Sequence, residues 1–290
     1  MVRSNASTER LSKEQKEELA DLADAVLAEH EAGAKAIDPV PIVTAKGIRL
    51  VYGRYGEAFD GLLRHKASRF SLFCNLDRVE TKKSRRARFT IAHELGHYFI
   101  ASHRNALQAG LAPQHRSFCE YESKLFVEQQ ADCFASNLLL PRESFLKKAK
   151  GCGPGLGGVL SLSDHFDTSV TATAIRYAAL GVAPCVVIKW NTNRFGWKWL
   201  AEDAYAAGYR KTIEDKAAVV PDSATDKAFT ATTPPPERFF KSATTAAFWF
   251  PFVTAGSQRD VMLHEHAMPL GRFGVLTLLY PMDGKLPWLE

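Results

Sequence analysis

Residues 93 to 97 read His-Glu-Leu-Gly-His. On an α-helix, residues four apart lie about one turn apart on the same face. His93 and His97 are therefore presented together, with Glu94 beside them. Two imidazoles at that spacing grip one divalent ion, zinc above all, and the glutamate next to them is placed to act as a general base. The flanking residues Phe89, Ile91, Ala92, Leu95, Gly96, Phe99 and Ile100 make this helix apolar on most sides, so it belongs inside a domain. A buried helix with two histidines and a glutamate must satisfy those polar groups, and a metal ion does so. The plainer alternative, two solvated histidines on a surface helix, is at odds with those apolar flanks.

Catalytic zinc usually takes three protein ligands and leaves one position for water. The best-placed third ligand is Glu128, on a second helix expected over residues 122–140 and closed by Pro141. It shares its side of that helix with Ala131, Phe134, Ala135 and Leu138, so it points inward, where a carboxylate needs a cation. Asp132, one turn on, is suited to accept a hydrogen bond from the free ring nitrogen of a zinc histidine. His103 falls where an elongated HExxHxxGxxH motif would put a third histidine. That motif turns at a glycine, but position 100 is Ile, so His103 is expected further along the same helix. There it and Tyr98 are candidates for substrate binding or transition-state support. His264 and His266 flank Glu265 at the wrong spacing for a helical pair and read as surface histidines. Zinc suits two nitrogens and an oxygen; manganese or another divalent ion fits the same set.

The chain of 290 residues is long enough for two domains. No apolar run approaches the roughly 20 residues of a membrane span, and the N-terminus lacks the apolar core of a signal peptide. The expected location is the cytoplasm, with no membrane partner. Five scattered cysteines without a CxxC pair fit reduced thiols and argue against a zinc ribbon. A net charge of +5 permits nucleic-acid binding without demanding it.

Patterning gives the order of elements. Residues 1–10 are expected to be disordered. A helix follows from Ser12 to His30, with Ser12 and Gln15 as its capping box, and a short helix over Pro39–Ala45. Strands at 48–52, 61–65 and 70–75 make a small sheet ahead of the motif helix. Residues 151–158, rich in glycine, read as a loop, and 160–180 as helix, turn, helix. Strands are expected at 185–190, 197–200, 247–253 and 274–280, with a loop-like stretch at 221–237. A domain boundary is placed near residue 183.

The segment Arg88-Phe-Thr-Ile-Ala-His-Glu-Leu-Gly-His-Tyr-Phe99 is followed by Glu128-x-x-Ala-Asp-x-Phe-Ala135 and by Leu138-Leu-Leu-Pro141. In that order, the three motifs resemble the ImmA/IrrE family of metallopeptidases, over roughly residues 12–182. The resemblance implies an α+β fold. It comprises a mainly helical, zincin-like peptidase domain over 11–182 with its small N-terminal sheet and a helix-turn-helix-like element at 160–181. A β-rich domain over 183–290 follows, sensor-like in some members. Carried over by position, the resemblance implies His93, His97 and Glu128 as zinc ligands and Glu94 as the catalytic glutamate. Asp132 stands where the family often has Asn. The implied activity is a zinc-dependent endopeptidase that cuts a helix-turn-helix repressor and so switches on stress-response or mobile-element genes. A rival reading is a DNA- or protein-binding transcriptional regulator on a peptidase-like scaffold. It rests on residues 160–180 and on the basic run Lys82-Lys-Ser-Arg-Arg-Ala-Arg88. Against it, Arg176 is the lone basic residue of 172–179, too few to track phosphates.

Overall fold

The computed structural model of this chain describes residues 11–30, 36–111, 115–117, 125–191, 194–209, 219, 221–235, 237–250 and 260–284. It is a mixed α and β structure, helical in the middle and β-rich towards the C-terminus, as expected. The chain divides into two compact units: Met1–Ser144 with His165–Ser169, and Phe145–Asp164 with Val170–Glu290. The division falls at Ser144 instead of near residue 183, because the second helix of the 160–180 pair packs on the C-terminal sheet. The expected disorder of residues 1–10 lies outside the described residues.

In the first unit, α1 (Lys13–Glu29) starts on the anticipated capping box. Ser12 Oγ accepts from the Gln15 N–H at 3.1 Å, and Gln15 Oε1 accepts from the Ser12 N–H at 2.8 Å. Next come α2 (Val40–Ala45), β1 (Arg49–Gly53), β2 (Gly61–Lys66), β3 (Arg69–Asn75) and α3 (Leu76–Val79). The motif helix α4 (Arg85–Phe99) begins at Ser84, whose Oγ accepts from the Ala87 N–H at 3.0 Å. It is followed by α5 (Ala101–Gln108), β4 (His115–Ser117) and α6 (Phe126–Leu139). The expected start of α6 at residue 122 lies outside the described residues. The sheet runs β1-β3-β2-β4, with β1 parallel to β3 and the other pairs antiparallel. Leu19 and Val26 of α1, Leu63 and Leu72 of the sheet, Ile91 and Leu95 of α4, and Phe134 and Leu138 of α6 form one core. Each such side chain contributes roughly 1.5–3 kcal/mol on burial, so α4 is held between the sheet and α6.

Most of the basic run at 82–88 is spent on this packing. Arg86 Nη2 meets the fully buried Asp60 at 2.8 Å, and Arg85 Nε meets Asp167 at 3.0 Å. Arg88 is buried, bonded to the Asp167 carboxylate at 2.7 Å and to the carbonyls of Ile37 and Asp167. Lys82 lies over the Tyr52 ring.

After α7 (Arg142–Ala149) come α8 (Gly155–Phe166) and α9 (Val170–Ala179), joined by a three-residue turn in which Asp167 takes a left-handed φ of 49°. The stretch expected as a loop at 151–158 already contains the start of α8. Burial of Leu156, Val159 and Leu160 outweighs the poor helix propensity of its glycines. The second unit then carries β5 (Val186–Asn191), β6 (Arg194–Leu200), α10 (Glu202–Ala206), α11 (Ala224–Thr230), β7 (Phe240–Thr245), α12 (Ala246–Trp249), β8 (Met262–Pro269) and β9 (Val275–Pro281). The five strands form an antiparallel sheet in the order β6-β5-β9-β8-β7, around a core that includes Trp190, Trp249 and Phe250. Two expectations are corrected here. Residues 246–249 are helical rather than extended, and the rest of that expected strand, 251–253, lies outside the described residues. The 221–237 stretch holds α11, whose N-cap Ser223 accepts from the Asp226 N–H. β8 carries Glu265 and His266 at buried positions, which hid its alternation, and β7 alternates half-buried with exposed residues.

Candidate metal centre

The centre is made where α4 crosses α6. A Cβ added at Gly96 would lie 3.1 Å from Ala131 Cα and 3.2 Å from its carbonyl oxygen. Two of the smallest residues therefore face each other, and the helices close to backbone contact. That approach brings Glu128, in the first turn of α6, against the two rings of α4. Glu128 Oε2 is 3.2 Å from His93 Nε2, Glu128 Oε1 is 3.4 Å from His97 Nε2, and the two Nε2 atoms are 3.1 Å apart. All three side chains are buried, and one ligand atom from each falls within 4.8 Å of the others. Among the described residues this is the one group of its kind. The positive end of the α6 dipole favours a carboxylate at that position.

Asp132 Oδ1 accepts from His93 Nδ1 at 2.8 Å, which turns His93 Nε2 toward the centre. Burial works against a charge on His93, but hydrogen bonds from Asp132 and Glu128 and the nearby Glu94 outweigh it and raise the imidazole to about 10. Asp132 is itself raised by burial and pulled back by His93. The centre thus attracts positive charge. With two ring nitrogens 3.1 Å apart and a carboxylate alongside, a cation shared among them balances the carboxylate charge and takes up both ring lone pairs. Two nitrogens and one oxygen are the donors of a catalytic zinc site, so the residues fit a divalent ion.

Glu94 is fully buried. β2 passes directly over it: a Cβ at Gly61 would lie 2.5 Å from Glu94 Oε1 and 2.6 Å from Thr90 Cγ2. Only glycine leaves room for the carboxylate there.

The other sequence candidates divide. α4 ends at Ile100, which takes an extended conformation (φ −68°, ψ 112°) before α5 begins. That φ is open to any residue, so the chain turns without a glycine, and His103 is not carried further along the helix as expected. It comes back to His97 instead, with 3.1 Å between their Nδ1 atoms, and its Nε2 lies 2.9 Å from Gln130 Oε1. Gln130 escaped sequence reasoning; no periodicity marks it. Tyr98 is not brought to the centre: its ring packs edge-on to Phe70 and Phe99, with the Arg104 guanidinium over it. His266 is not a surface residue. It is buried in β8, its Nδ1 accepts from the Leu156 N–H at 3.2 Å, and its Nε2 meets Tyr280 Oη at 3.2 Å. Burial and the nearby Lys241 and His264 charges lower it to about 4.

No curated protein matches the chain. A solved structure of a Mycobacterium tuberculosis transcriptional regulator is similar in fold, with a TM-score of 0.59 at 14% identity over 92% of this chain and 77% of that one. A model of the IrrE N-terminal-like domain, Peptidase_M78, matches residues 79–176, a span that contains the whole metal centre. Over residues 79–176 the chain is therefore similar to the IrrE N-terminal-like domain.

Proposed function

We propose that this chain is a metal-dependent endopeptidase of the ImmA/IrrE type, with zinc as its preferred ion. Its proposed substrate is a helix-turn-helix transcriptional repressor, whose cleavage releases stress-response or mobile-element genes. The observation that carries the reading is the convergence of His93 Nε2, His97 Nε2 and the Glu128 carboxylate in a buried centre, with Glu94 next to His93 on the same helix. When bound, a divalent ion supplies Lewis acidity toward a water and a peptide carbonyl. Glu94 takes the water proton and returns it to the leaving amine nitrogen. Gly61 keeps that carboxylate in place by leaving it space, and Asp132 holds the His93 ring with Nε2 inward. The choice of a repressor follows the family resemblance, and the cytoplasm is proposed with it. No described helix is long and apolar enough to cross a membrane.

The rival reading, a DNA- or protein-binding regulator, takes its support from the fold likeness to the M. tuberculosis transcriptional regulator and from the short turn that joins α8 to α9. The arginines it would use are engaged elsewhere. Arg176 is buried, and Arg85, Arg86 and Arg88 are committed to Asp60 and Asp167. The deciding experiment pairs zinc-loaded wild type with Glu94→Gln on candidate repressors, with fragments read by mass spectrometry. The variant is expected to keep its metal and lose activity by about 10²–10⁴. Wild-type turnover in Glu94→Gln removes Glu94 from the chemistry, and salt-sensitive specific DNA binding without cleavage favours the rival.

A further inference from the structure

His97 is braced differently from its partner. His93 donates its Nδ1 proton to a carboxylate, whereas the Nδ1 of His97 faces another imidazole, His103, at 3.1 Å. Two ring nitrogens in a hydrogen bond need one donor and one acceptor, so the tautomer of His103 decides that of His97. His103 Nε2 lies 2.9 Å from Gln130 Oε1, an acceptor, and therefore carries the proton. A neutral His103 then has its lone pair on Nδ1, and His97 must donate from Nδ1. The lone pair of His97 is left on Nε2, the atom that faces His93 Nε2 and Glu128. Reversing the Gln130 amide would reverse every bond in this chain, put a proton on His97 Nε2 and block the centre. His103 is 7% exposed, so water is a poor substitute for either partner.

We propose that His103 and Gln130 are positioning residues: a neutral relay, Gln130–His103–His97, that fixes the tautomer of His97 and aims its Nε2 at the metal. This rests on the reading of His93, His97 and Glu128 as a metal centre. It assigns His103 a place behind a ligand instead of a place at the substrate. Gln130 becomes the residue that sets the direction of the relay.

The test is zinc affinity of the full chain, measured by competition with a chromogenic chelator, for wild type, His103→Phe, Gln130→Leu and Gln130→Glu. His103→Phe and Gln130→Leu are expected to weaken zinc by about 10–100-fold, the range for residues that orient a ligand. Gln130→Glu can only accept from His103 Nε2–H, so it should bind zinc as tightly as wild type or more tightly. A residue that merely fills space would not separate the two Gln130 variants. In the cobalt-loaded protein, the exchangeable Nδ1 proton of each ligand histidine gives a shifted NMR signal. Two are expected in wild type and Gln130→Glu, with the one from His97 lost to solvent exchange in Gln130→Leu. Equal weakening by Gln130→Leu and Gln130→Glu overturns the relay, as does full zinc affinity in both His103→Phe and Gln130→Leu. A wild type that takes up neither zinc nor cobalt overturns the metal centre itself, a result read before any variant is compared.

Discussion

Both units of the molecule bury glutamates, and two of them, Glu265 and Glu128, are treated in opposite ways. In the second unit, Glu265 is 1% exposed and ringed by donors. Its Oε1 accepts from the Thr225 N–H at 2.8 Å and the Thr225 hydroxyl at 2.7 Å, and its Oε2 from the Ser242 hydroxyl at 2.9 Å. The Thr225 hydroxyl continues to Thr277 Oγ1, which accepts from Trp190 Nε1–H at 3.1 Å. In the first unit, Glu128 meets the Nε2 atoms of two histidines whose outer nitrogens are engaged by Asp132 and His103. Donors complete the first arrangement and make it structural. The second calls for a cation. The two carboxylates thus differ in the kind of atom that faces them, not in burial.

The histidines repeat the contrast. His93 is raised to about 10 by surrounding carboxylates against the effect of burial, and His266 is lowered to about 4 by burial and two cationic neighbours. Carboxylates surround the first, whereas an N–H donor and a tyrosine hydroxyl hold the second.

The largest expected effect is at Glu128. Glu128→Ala should weaken zinc by about 10³-fold, roughly 4 kcal/mol, as read by chelator competition, while Glu265→Ala leaves zinc affinity unchanged. Equal loss in both would erase the distinction. Glu265→Ala should instead cost about 3 kcal/mol of stability, because it strands buried donors. Urea unfolding with and without zinc measures this, and added metal should not restore it. Acid provides the third test. A neutral His266 contributes stability that is present above the unfolded value near 6.5 and is lost as pH falls through about 4. Its contribution should shrink by about 2 kcal/mol between pH 7 and pH 5. A His266→Phe protein that keeps the same pH slope over that range would assign the loss to other groups. The smallest effect is expected at the start of the motif helix. Ser84→Ala removes a cap and should cost about 1 kcal/mol, with zinc affinity unchanged because the centre lies two turns away.

Much of the candidate metal centre was legible because helical spacing is rigid. His93, Glu94 and His97 follow from one turn of helix, and Glu128 and Asp132 from the inward face of α6. What escaped depended on tertiary contact. Ile100 turns the chain with an ordinary φ, so nothing in its type announces the break that returns His103 to His97. The closeness of α4 and α6 depends on Gly96 facing Ala131, a pairing that no single helix reveals. In the second unit, His266 and Glu265 look like surface residues because charged and polar types usually are. Only the strand pairing of β8 between β7 and β9 puts them inside. The basic run at 82–88 looks like a patch for an acidic partner, and Asp60 and Asp167, distant in sequence, consume most of it.

X-ray absorption at the zinc edge of the metal-loaded chain tests the central claim most directly. About one zinc per chain is expected, with two imidazole nitrogens at about 2.0–2.1 Å and carboxylate oxygen at about 2.0–2.2 Å, and loss of that spectrum in Glu128→Ala. A sulfur-bound ion, or a spectrum without imidazole scattering, would contradict it.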